Sequence, residues 1–154
     1  MTRFLLLTAA ALMIAAPAFA GTAAARLTRA AYLTKLRTAD AASSRSDNAA
    51  LAALQSKRTT PAQVKAAFSA MGAAHVRVGK QFAAIVPPRA ATKANRDFAA
   101  AEILLGRQNE AIARRLPDAK PAITRFLRSL KPPTGGALLD HAIAELHNAG
   151  FNIR

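Results

Sequence analysis

Three ionisable side chains occupy positions where helical spacing puts core residues. His75 belongs to the run Val64, Phe68, Met71, His75, Val78, Phe82 and Ile85, whose alternating steps of four and three place all seven on one stripe. Glu102 belongs to Ala91, Asn95, Phe98, Glu102, Leu105, Asn109, Ile112 and Leu116, and Asp40 to Leu33, Leu36, Asp40, Ser43, Asp47, Ala50 and Leu54. The helical neighbours of Glu102 at three and four residues are Phe98, Ala99, Leu105 and Gly106, and none can pair with a carboxylate. Imidazole and carboxylates in one layer suit zinc, iron or manganese. They equally suit a buried polar layer, in which His75 bonds to Glu102 or Asp40 and fixes the register of the helices.

The spacing favours the polar layer. Carboxylate-bridged sites in helical bundles use Glu-x-x-His on each of two helices, and this chain contains no Glu-x-x-His. Met71 and His75, four apart on one face, offer a softer set for copper or haem, but Met in an alanine-rich stripe ordinarily fills core space. The expectation is no cofactor, with a metal or haem held by His75, Glu102 and Asp40 as the alternative. On the last helix, His141 with Glu145 and His147 with Asp140 lie off the apolar stripe Leu139, Ala142, Ile143 and Leu146 and are expected to face water. No Gly-x-Ser-x-Gly turn occurs and no glycine-rich loop follows a strand, so hydrolase and nucleotide-binding readings lack support and no enzyme is expected.

A second constellation is basic. Arg114, Arg115, Lys120, Arg125, Arg128 and Lys131 gather with only Asp118 between them, forming a candidate anion-binding face. Arg114 and Arg115 also suit a helix C-terminus, and Arg114 stands four residues after Glu110. With Phe126 the one aromatic among these bases, stacking on nucleic-acid bases is not expected, and any such binding is of the sequence-independent, phosphate kind. The whole chain carries a formal charge of +14, with 22 Lys and Arg against 8 Asp and Glu. That surplus favours anionic partners such as cell-envelope polymers, and it also favours plain solubility.

The elements that must position these residues are helices. About a quarter of the chain is Ala, with 1 Tyr and no Trp, so strands have little support and the class is all-α. The punctuation divides it into four to five helices of an up-and-down bundle. The first runs from about Thr28 to Leu54. Thr60 caps the second, with Pro61 at its first position and Gln63 completing a capping box, and Pro87-Pro88 ends it near Ile85. The third spans about Ala90 to Arg115, and the fourth about Pro121 to Leu130. The segment Pro132-Pro133-Thr134-Gly135-Gly136 breaks the final arm before a last helix from Ala137 to Ala149. Gly150 then supplies a left-handed stop, with Phe151 set to touch Leu146.

Short connections make consecutive helices antiparallel. Reflection through Lys57 sets Asp40 level with Ala74 and His75, and reflection through Pro88 sets His75 level with Ala101 and Glu102. Gly72, Gly79 and Gly106 flank this layer, each at a cost of about 0.5–1 kcal/mol relative to Ala, which points to close helix approach or to room beside the polar groups.

The N-terminus gives an address. Met1-Thr2-Arg3 is a short positive start, Phe4 to Ala16 is apolar apart from Thr8, and Pro17 precedes Ala18-Phe19-Ala20. This is the pattern of a signal peptide over residues 1–20, removed to leave one domain over 21–154 in an extracytoplasmic protein. The apolar run is shorter than the roughly 18–20 residues that span a bilayer, so no transmembrane segment is expected after cleavage. The chain has no cysteine, hence no disulfide, and must hold together by packing.

Phe82-Ala83-Ala84-Ile85-Val86-Pro87-Pro88, Ala101-Glu102, Phe126 to Pro133, and Leu139 to Leu146 ending at Ala149-Gly150-Phe151 resemble the small exported helical proteins numerous in high-GC Gram-positive bacteria. The resemblance implies a helical fold and an exported address, and implies no activity. The function expected from all of this is non-enzymatic binding, with a basic surface meeting anionic envelope polymers.

Overall fold

A computed structural model describes residues Ala25–Ile153; the signal peptide over residues 1–20 and its cleavage site before Gly21 lie outside the described residues. The fold is an all-α bundle: α1 (Arg29–Gln55), α2 (Pro61–Ala83), a 3-10 turn (Arg89–Ala91), α3 (Thr92–Arg115), α4 (Lys120–Ser129) and α5 (Thr134–Asn148). No helix among the described residues is long and apolar enough to cross a membrane.

Local chemistry sets most of the boundaries. The Thr28 hydroxyl accepts from the Ala31 N–H and starts α1. The Thr60 N–H donates to Gln63 Oε1 at 2.8 Å while Gln63 N–H donates to Thr60 Oγ1 at 3.3 Å, closing the capping box of α2. That helix stops at Ala83, short of Ile85, and α3 begins at Thr92 because Arg89–Ala91 forms a tighter turn first. At the far end Gly150 adopts φ +84°, its N–H donates to His147 O, and Phe151 N–H donates to Leu146 O, the paired bonds of a Schellman stop.

One boundary is corrected. Gly135 and Gly136 belong to the first turn of α5, so the break before it ends at Pro133. Gly135 is there for contact: a Cβ on it would stand 2.5 Å from the Leu105 N, and its own N–H donates to Gln108 Oε1.

The most extensive helix contact is α2 with α3, followed by α3 with α5 and α1 with α2. Gly72 and Gly106 face each other across the first of these; a Cβ on Gly106 would lie 2.5 Å from Gly72 O, so the two backbones approach as closely as side-chain-free positions allow. Apolar side chains collect at the two ends of the bundle. One end holds Tyr32, Leu36, Phe82, Phe98, Leu146 and Phe151 with their neighbours. The other is smaller, built on Val64, Leu116 and Ile123, with Phe68, Ile112, Phe126 and Leu127 partly buried around them. Between the ends lies a polar waist.

Candidate functional site

The waist is organised by His75, 2% exposed on α2. Its Nδ1 is 2.6 Å from Glu102 Oε2 on α3, and its Nε2 is 2.9 Å from Asp47 Oδ1 on α1. Glu102 is 2% exposed, whereas the Asp47 side chain is 47% exposed, so the bridge is sealed on one side and wet on the other. Burial alone drives the ring toward its neutral form. Hydrogen bonds and charge from Asp47 and Glu102 outweigh burial and push the pKa up to about 9. At neutral pH the ring is therefore an imidazolium, with both N–H groups donating to carboxylates.

This geometry matches part of the expected layer and corrects the rest. His75 and Glu102 meet as the reflection through Pro88 requires. Asp40 does not join them: it sits half-buried on α1, seven residues before the carboxylate that does. The reason is the direction of helical side chains. Each Cα–Cβ bond leans toward the N-terminus of its own helix, so His75 leans toward the α1–α2 connection while Asp40, level with it, leans away. Asp47 lies nearer that connection and leans back toward the ring. Its place on the α1 stripe was visible in the sequence; the lean decides between the two acids.

The bridge also bears on the metal alternative. A metal takes a neutral imidazole through a free nitrogen lone pair, and both nitrogens of His75 are engaged with carboxylates on opposite sides of the ring. Among the described residues no set of three His, Cys, Asp or Glu side chains is placed to hold a metal ion. The arrangement ties three helices at one height.

Seven residues before Glu102, Asn95 repeats the device nearer the aromatic end. Its Oδ1 accepts from the Tyr32 hydroxyl at 3.0 Å, and its Nδ2 donates to Phe82 O at 3.0 Å. Tyr32 is fully buried, and burial raises its phenol above the ordinary range. The α1 stripe expected through Leu33, Leu36 and Asp40 omits it: Leu36 is buried as that stripe requires, but Tyr32 and Ala39 face inward in place of Leu33 and Asp40.

The basic residues gather at the smaller apolar end. Arg114, Arg115, Arg125, Arg128 and Lys131 are exposed. Asp118, the acid that interrupts them in sequence, is taken by Lys65 of α2 at 2.6 Å. The Arg115 guanidinium stands 5.5 Å from the centre of the Phe126 ring, and no Glu110–Arg114 ion pair forms among the described residues. Lys120 departs from the expected open face: it is half-buried, and its Nζ donates to the Ser56 carbonyl in the α1–α2 connection. That contact brings the exposed Lys57 and Arg58 to the same end, a tertiary addition that sequence spacing could not reveal. His141 and His147 are exposed, as expected. Comparison with protein-family models, curated proteins and solved structures gives no match.

Proposed function

We propose that this is an exported, non-enzymatic binding protein whose basic end meets anionic polymers of the cell envelope. The observation that carries the reading is the pairing of Asp118 with Lys65. It leaves Arg114, Arg125, Arg128 and Lys131 exposed without a carboxylate partner among the described residues, beside Lys57 and Arg58. Unpaired guanidinium groups on a short rigid helix suit sulfate or phosphate groups spaced along a polymer. The export pattern of residues 1–20 supplies the compartment, and the resemblance to small exported helical proteins agrees with it.

The test is affinity against salt. Binding to heparin, teichoic acid or DNA is expected to fall steeply as salt rises, because counterion release sets the slope. Charge reversal of Arg125 and Arg128 is expected to weaken binding more than reversal of Arg37 and Arg89, two exposed bases away from this end. Equal losses from both pairs would reduce the effect to net charge and remove the site. Intact-mass measurement of the secreted form tests the address, with Gly21 as the expected first residue.

A further inference from the structure

A groove of about 750 Å³ lies between α1 and α2, away from the basic end. Its floor is apolar, built from Ala39, Val78, Phe82 and Ile85, and it is open along one side. It exists because Ala39, Ala42 and Ala74 are too short to close the gap between the two helices, whose contact is less extensive than that of α2 with α3. Its wall on α2 runs about 14 Å from Ala74 to Ala83 at the helical rise. Its volume falls within the range of small-molecule sites, which are mostly apolar with a few placed polar groups.

We infer that this groove binds a fatty acid anion, its alkyl chain along the floor and its carboxylate on a cation of the rim. The polar groups along the walls select for this occupant. Thr34 and Thr38 donate their hydroxyls to Ala30 O at 3.1 Å and Thr34 O at 2.9 Å, so neither offers the groove a free donor. Lys35 on the α1 wall and Arg77 on the α2 wall are exposed, with no carboxylate partner among the described residues. They stand toward opposite ends of the groove, so a chain entering from either end finds a cation for its headgroup. A second copy of this protein would bring the same two cations against them. The apolar leader at residues 4–16 follows Arg3 and carries no anion to meet them.

The experiment uses the chain from Gly21 onward, which contains every described residue, with dodecanoate and tetradecanoate titrated below their micelle concentrations. Saturable binding of one ligand per chain is expected, with dodecyltrimethylammonium binding far more weakly. Ala74→Leu, at a half-buried wall position, fills the groove, and Arg77→Glu reverses the rim charge. Each is expected to lower affinity by about tenfold or more, the size of a lost charged hydrogen bond, with the thermal transition retained. Reversal of Arg125 and Arg128 is expected to leave fatty acid binding unchanged, which separates this site from the polyanion surface. Absence of saturable binding overturns the inference. So does equal affinity for the cationic amphiphile, or indifference to both Ala74→Leu and Arg77→Glu.

Discussion

The two ends of this bundle solve opposite problems. The aromatic end closes on itself: Tyr32, Phe82, Phe98 and Phe151 stack edge to face at 5.0 to 6.1 Å between ring centres, and three of its bases are tied down. Arg26 donates to Pro87 O, Arg29 donates to Gly150 O and lies over the Phe151 ring, and Lys93 pairs with Asp97 and Glu145. The basic end has three buried apolar residues in its cluster and exposed bases around them. A chain without cysteine concentrates its packing where the termini of α1 and α5 must be held, and leaves charge where little packing depends on it. The difference teaches that stability and surface chemistry are segregated along the bundle axis, with the waist coupling them.

Truncating one aromatic at each end breaks this comparison most sharply. Phe98 is 4% exposed and stacks on Phe82, so Phe98→Ala is expected to destabilise by about 3–5 kcal/mol. Phe126, half-buried, is expected to give about 1–2 kcal/mol on the same change. Denaturant titration measures both. Equal losses would mean that the basic end is as tightly built as the other.

The waist gives the next effect. His75→Ala leaves Glu102 buried without its partner, and breaking such a pair typically costs about 3 kcal/mol or more. The same bridge sets a pH dependence. Its folded pKa of about 9 lies above the ordinary 6.5, so the stabilisation is complete below about pH 6.5 and is lost as pH rises through about 9. The wild-type melting temperature should fall over that window, and in His75→Ala the fall should be much reduced. His141→Ala, on an exposed face, serves as the control and should shift stability by less than about 0.5 kcal/mol. A wild-type melting temperature that stays flat from pH 6.5 to 9 would mean the ring is not held as an imidazolium.

Close backbone approach sharpens the comparison at a third point. Gly106→Ala puts a Cβ 2.5 Å from the Gly72 carbonyl, where the obstacle is backbone and cannot turn aside. The better helix propensity of Ala would otherwise stabilise; here a net loss of about 1–3 kcal/mol is expected from forcing the helices apart. A stabilised Gly106→Ala variant would show that α2 and α3 separate without penalty.

What the sequence made legible was what short-range rules govern. The Thr60–Gln63 box, the Gly150 stop and the His75–Glu102 pairing follow from caps, turn residues and a seven-residue repeat reflected through Pro88. Asp47 in place of Asp40 was not legible, because equal height ignores the lean of side chains along their own helices. Tyr32 was missed for a related reason: Leu33 fits the same spacing one residue over, and the phenol is selected by Asn95 on a helix far away in sequence. The groove was invisible because it is made by what alanines leave unfilled, and a space between helices has no local signature.

The smallest effect is one of sign. At the aromatic end Lys93 stands between two carboxylates, which hold its pKa above the usual lysine range, and Asp97 is correspondingly lowered. Removing that cation by Lys93→Ala leaves Asp97 and Glu145 facing each other and should lower the melting temperature slightly at low salt. At the basic end Arg125 stands mid-helix on the exposed side of α4, three residues before Arg128, so Arg125→Glu replaces a like-charge neighbour by an opposite one. That change should raise the melting temperature slightly or leave it unmoved, even while it weakens polyanion binding. Both shifts should fade as salt rises, since exposed charges are screened within about 10 Å at 0.1 M. If Arg125→Glu instead destabilises as Lys93→Ala does, the basic end contains a carboxylate contact essential to its fold, and its bases are structural rather than free to bind.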